Sequence, residues 1–106
     1  LLRRPLDYVV VGAVAVVAGG LCEEIQWAFV LHRFEQHLGG SLVGLIAFSA
    51  WFGLGHFVQG YDVILITGVL GVAWGALYFW RRSVVAAVVC HSLFNLLEVA
   101  AYGVVP

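Results

Sequence analysis

Between Tyr8 and Cys22 the chain reads YVVVGAVAVVAGGLC, without a single charge, and the apolar run resumes through Ile25, Trp27, Ala28, Phe29, Val30 and Leu31. A helix that crosses a bilayer needs about 20 such residues, within a range of roughly 17–25. In lipid only helices or closed barrels satisfy their own backbone. The apolar residues here are continuous rather than alternating, which excludes barrel strands. The chain is therefore expected to be all-α, a polytopic bundle of transmembrane helices. Glu23 and Glu24 interrupt the run side by side at bilayer depth, where a carboxylate costs a few kcal/mol. Such a pair needs a compensating use and marks a functional site.

Composition removes the soluble alternatives. Of the 106 residues, 63% are hydrophobic and 10% charged, against about half and about a quarter in soluble domains. Five basic and six acidic side chains cannot cover a globular surface, so lipid must serve as part of the solvent and as a partner. A net charge of −1 with no basic patch excludes nucleic acid as a partner. No Met occurs, not even an initiator. Residues 1–106 thus read as a single core cut from a longer chain, with further helices around it. Cys22 and Cys90 read as small buried hydrophobes. The opening Leu1–Cys22 imitates a signal peptide, but Leu21 and the carboxylates that follow fit a retained helix better.

About four spanning helices are expected. The first covers roughly Asp7 to His32, with Pro5 and Asp7 suited to its start, and Gly39-Gly40 break the chain beyond it. The second runs from Ser41 to about Val58 and carries His56 near its end. Asp62 caps the third, which reaches about Trp80, and Ser83 caps the fourth, which continues to about Val105. Gly68, Gly71 and Gly75 place small residues on one stripe of the third helix, a packing surface in lipid. Two arginines against three on alternate sides leave the orientation open. Trp27, Trp51, Trp74 and Trp80, with Tyr61, Tyr78 and Tyr102, read as interface anchors; Trp27 and Trp51 also lie near the polar motifs. His32 and His37 flank a charged loop and read as solvated.

The remaining polar residues form a pattern. His91 and Asn95 are spaced i, i+4 on one helix face, with Glu98 continuing the stripe, and Phe52 and His56 repeat the spacing on the second helix. Glu23 and Glu24 diverge by about 100°, so one is expected to point at the centre of a site and the other to tie down a neighbouring element. The residue types suit hydrolysis. A carboxylate in a low-dielectric site is a competent base, an imidazole binds metal or shares in deprotonating water, and an asparagine amide donates to an oxyanion.

Three motifs in order, Glu23-Glu24-Ile25-Gln26-Trp27-Ala28, Phe52-Gly53-Leu54-Gly55-His56 and His91-Ser92-Leu93-Phe94-Asn95, resemble those of the CPBP intramembrane proteases, the CAAX-protease and bacteriocin-processing (Abi) proteins. The resemblance spans about Gly20 to Leu97. It implies an integral protein of the bacterial plasma membrane that cleaves a membrane-associated peptide, such as a prenylated C-terminal segment or a bacteriocin-like leader. Carried onto this chain, it implies that Glu23 and His56 activate water while His91 and Asn95 stabilise the oxyanion. Glu24 and Phe52 would support them from behind. Zinc or another divalent metal on Glu23, His56 and His91 is one form of the chemistry; water held by Glu23 and His56 without metal is equally compatible. One position departs from the family. Where its arginine would stand, four residues after Glu24, this chain has Ala28, so Glu24 needs another partner or a proton. The departure opens a second reading, a catalytically impaired member acting as a membrane immunity or regulatory protein. A proton relay through Glu and His is a third.

Overall fold

A computed structural model describes residues 2–104, and every described element is helical. There are four helices: α1 (Pro5–His37), α2 (Ser41–Leu54), α3 (Tyr61–Arg81) and α4 (Val84–Val104). A short 3₁₀ turn, Phe57–Gln59, joins α2 to α3. In space α1 lies against α4 along its first half and against α2 along its second. The third helix fills the position between α2 and α4, closing the ring.

The boundaries follow from local chemistry. Pro5 occupies the first turn of α1, where its missing N–H is no loss. The backbone amides of Arg3 and Arg4 donate to the Asp7 carboxylate at 3.1 and 2.9 Å, satisfying groups the helix leaves open. Asp7 thus acts from the first turn rather than as the cap itself. Gly39 and Gly40, both with φ near 101°, turn the chain out of α1. At the other interhelical corner Arg82 takes the left-handed conformation, and the Ser83 hydroxyl accepts the Val85 amide at 3.2 Å to start α4. Asp62 is not a cap: Gly60 holds that position before α3.

Three of the four helices, α1, α3 and α4, are long and apolar enough to cross a membrane. The second, Ser41–Leu54, is a shorter apolar helix, so the expected four helices are present with three of them long enough to span. It stops at Leu54 because Gly55 ends the regular backbone and His56 leaves it. The His56 ring then turns back, Nδ1–H donating to the Phe52 carbonyl at 2.9 Å, and so satisfies one of the last open acceptors of α2.

Burial is inverted relative to a soluble protein. Among the described residues only Trp27, Leu31, Trp74 and Ala87 form the buried apolar core, whereas Val9, Phe29, Ile46, Leu65, Val69 and Leu97 all face outward. The buried interior instead includes Glu24, Ser49, His91 and Ser92. An apolar exterior around polar groups requires a lipid solvent: this is an integral membrane protein. Cys22 and Cys90 are exposed on that exterior, not buried as expected. Trp27 and Trp74 are buried, so neither is an interface anchor.

The glycine stripe of α3 is a packing surface that serves two neighbours. Gly71 and Gly75 make room for the Trp27 ring of α1, and Gly68 faces the Ser49 backbone of α2. Within α1, Ala15–Glu23 has the wider π-helical hydrogen-bond pattern, an uncommon feature that is frequent at functional sites. Hydropathy shows no sign of it, since the apolar run passes through unchanged.

Candidate active site

Glu23 closes the π-helical segment and Glu24 opens the α-helical turn after it. Their side chains part company there. Glu24 is 1% exposed and points at α4, where its Oε1 lies 2.7 Å from His91 Nδ1. A carboxylate at that nitrogen makes Nδ1–H the donor and leaves Nε2 as the free face of the ring. His91 Nε2 in turn stands 3.8 Å from Glu23 Oε2. The imidazole is therefore flanked by both members of the pair. Glu24 finds in His91 the partner that Ala28 does not provide.

Two aromatic rings complete the seat of His91. Trp74 of α3 stacks on it with centroids 3.7 Å apart and planes inclined by 14°, and Phe94 meets Trp74 edge-on at 5.8 Å. On the opposite wall Phe52 contacts both the Trp27 ring at 5.5 Å and the His56 ring at 5.1 Å. Phe52 thus packs edge-on against His56. Since Nδ1 of His56 is given to the Phe52 carbonyl, its Nε2 is the nitrogen left for chemistry.

Asn95 is placed differently. Its Nδ2 donates to the Ala15 carbonyl at 3.2 Å, across to the first residue of the π-helical segment. Gly19 permits the approach, because a Cβ there would collide with that amide. Gly20 likewise leaves space that Ser92 fills. One N–H of Asn95 is thereby engaged, and the second remains for another acceptor.

Glu23, His56, His91 and Asn95, contributed by three separate stretches of chain, line one cavity of about 370 Å³. Glu98, Gln59, Thr67, Trp74 and Tyr102 line it too. Of these Glu98 was legible as the next member of the His91/Asn95 stripe. Trp74 carried no signal beyond its place between Gly71 and Gly75, and α3, whose glycine stripe reads as a packing surface, also forms part of the wall. A second hollow of about 210 Å³ lies beside the first, and Glu23, Phe52 and His56 border both. Among the described residues no three His, Cys, Asp or Glu side chains are grouped as a metal ion requires. Glu23, His56 and His91 share the cavity without gathering as the ligands of one ion. His32 and His37 are exposed and far along α1, outside the site.

A family model described as type II CAAX prenyl endopeptidase Rce1-like matches residues 5–97. No curated protein and no solved structure matches the chain. The matched stretch holds all three motifs and nearly the whole helical ring described above, and from it follows the assignment: the chain belongs to the Rce1-like family of type II CAAX prenyl endopeptidases.

Proposed function

We propose that the chain is an intramembrane endopeptidase of a bacterial plasma membrane, cutting a peptide bond in a prenylated, membrane-associated substrate. The observation that carries this is the single cavity lined by Glu23, His56, His91 and Asn95. In the proposed reaction a water lies between the Glu23 carboxylate and His56 Nε2. Glu23 takes one proton as the oxygen attacks the scissile carbonyl carbon. The carbonyl oxygen becomes an oxyanion, met by the second N–H of Asn95 and by His91 when Nε2 carries a proton. Collapse breaks the C–N bond, and the proton held by Glu23 passes to the departing amine. Glu24 holds the His91 ring from behind, Phe52 holds His56, and residues 1–106 act as one unit.

No step is routed through a metal. Zinc on Glu23, His56 and His91 would need these three side chains, which are not gathered in the structure, to close on one ion; activity lost on chelation and restored by zinc would make them ligands. The test of the main reading is cleavage of a prenylated peptide by the chain reconstituted in lipid vesicles. Glu23→Gln is expected to lower kcat about 1,000-fold, in line with removal of a general base, while leaving the unfolding temperature within a few degrees. Retention of full activity would overturn the assignment.

Ala28 favours the second reading, a membrane partner that binds without cutting. The Glu24–His91 pair weighs against it, because the carboxylate orphaned by Ala28 has a partner after all. The same assay separates the two: binding of the peptide with no cleavage, by wild type and Glu23→Gln alike, identifies the non-proteolytic protein.

A further inference from the structure

Glu98 is an exposed carboxylate four residues before the end of the apolar candidate span of α4, where its charge costs less than at the bilayer centre. It forms no ion pair among the described residues. It follows His91 by seven residues, two turns on the same face, which places it about 10 Å further along the helix. There it lines the catalytic cavity together with Gln59 and Tyr102. It also lines an adjoining hollow of about 460 Å³ with Leu2, Val11, Ala15, Asn95, Val99 and Tyr102. Among the described residues no arginine borders either space. Arg4, the nearest paired cation in sequence to that end of α1, is engaged by Asp7 at 3.1 Å. The cavity therefore has a carboxylate at each of two points: Glu23 has His91 beside it at 3.8 Å, whereas Glu98 has no lysine or arginine beside it among the described residues.

We propose that Glu98 binds a cationic side chain of the substrate and so fixes the direction in which the peptide lies. This rests on the peptidase function proposed above. An extended peptide advances about 3.3 Å per residue, so 10 Å corresponds to about three residues from the bond being cut. A free carboxyl terminus at that distance meets a like charge, whereas a lysine or arginine meets its counter-ion. The amino side of the substrate runs toward Glu98 and Tyr102, and its carboxyl end runs the other way. Glu98 is a specificity residue, distinct from the groups that activate water.

The test uses prenylated peptides that differ only in Arg or Glu three residues on the amino side of the cleaved bond, offered to the chain in neutral lipid vesicles. Wild type is expected to favour the Arg peptide about fivefold in kcat/KM, the upper end for a solvent-accessible ion pair. Glu98→Gln brings the ratio near one, Glu98→Arg inverts it, and high salt flattens it. An unchanged ratio in Glu98→Gln overturns the proposal, as does a preference that appears only when Arg is moved to the carboxyl side. Failure of the peptidase reading is visible separately, as no cleavage of either peptide. Binding of non-cleavable N-methyl analogues, followed by fluorescence anisotropy, then decides alone. A charge preference that Glu98→Gln removes keeps the site, and equal binding of both peptides ends it.

Discussion

The seam between α1 and α4 and the seam between α2 and α3 are built from opposite materials. Along the first, polar groups cross from helix to helix: Glu24 to His91, Asn95 to the Ala15 carbonyl, and the Ser92 hydroxyl filling the space beside Gly20. Along the second, closeness alone does the work. A Cβ on Gly53 would come within 2.6 Å of the Ile64 carbonyl, and Gly68 lies against the Ser49 backbone. Lipid provides no hydrophobic drive between helices, so close packing and hydrogen bonds must hold a bundle. This molecule separates the two devices. The hydrogen-bonded seam carries Glu23, His91 and Asn95, and the glycine seam holds the wall that brings His56 to face them.

The difference can be broken most severely at Glu24. Glu24→Ala leaves the His91 Nδ1–H buried without an acceptor and opens a void, and is expected to destabilise the protein by about 3 kcal/mol. Cleavage should fall about 100-fold, as when a group that orients a reactive histidine is removed. Glu24→Gln retains an acceptor oxygen and should recover most of the stability. Thermal unfolding in detergent and cleavage in vesicles read the two effects. Equal losses in both variants would show that charge, not hydrogen bonding, holds the seam.

Trp74 sharpens the comparison, because it reaches from the glycine-rich helix to the polar seam. Trp74→Phe keeps an aromatic face on His91 and is expected to retain kcat within about threefold, whereas Trp74→Leu should lower it about tenfold with KM little changed, a cost near the upper range for a stacked pair. A matching loss in KM would instead make Trp74 a substrate contact.

The smallest effect of all belongs to the α2–α3 seam, at Gly68, and it stands beside a larger one at Gly53. Gly53→Ala forces a methyl against backbone and should cost about 1–3 kcal/mol. Gly68→Ala meets only an ordinary contact of 3.6 Å and should be neutral or stabilising by up to about 1 kcal/mol, from helix propensity. Unfolding midpoints of the two variants settle the ranking. If Gly68→Ala proved the more damaging, the helices would pack more tightly than described.

Much of this arrangement was legible in the residues. Continuous apolar runs announced helices in lipid, and the spacing of Phe52, His56, His91 and Asn95 placed them on shared faces. The divergence of adjacent helical residues foretold that Glu23 and Glu24 would have different duties, and they do: one lines the cavity, the other grips His91. Other features leave no mark in a linear pattern. The π-helical stretch is a change of hydrogen-bond register, and hydropathy is blind to register. The early end of α2 depends on His56 folding back on Phe52, a choice of rotamer. Trp74 looked like an interface residue because its partner, His91, is supplied by another helix. Cys22 and Cys90 were placed inside because burial was judged as for water, whereas here the apolar exterior faces lipid.

The cavity can also be considered as a reservoir. A water molecule in the liquid takes up about 30 Å³, so 370 Å³ corresponds to the volume of about twelve. Hydrolysis inside a bilayer would otherwise depend on a reactant that is scarce in hydrocarbon. In the proposed reaction a hollow of this capacity would make supply local: after a peptide displaced most of its contents, a molecule between Glu23 and His56 would still be within reach. The rate of the proposed reaction would then be set by the residues around that molecule, and not by diffusion of water through lipid.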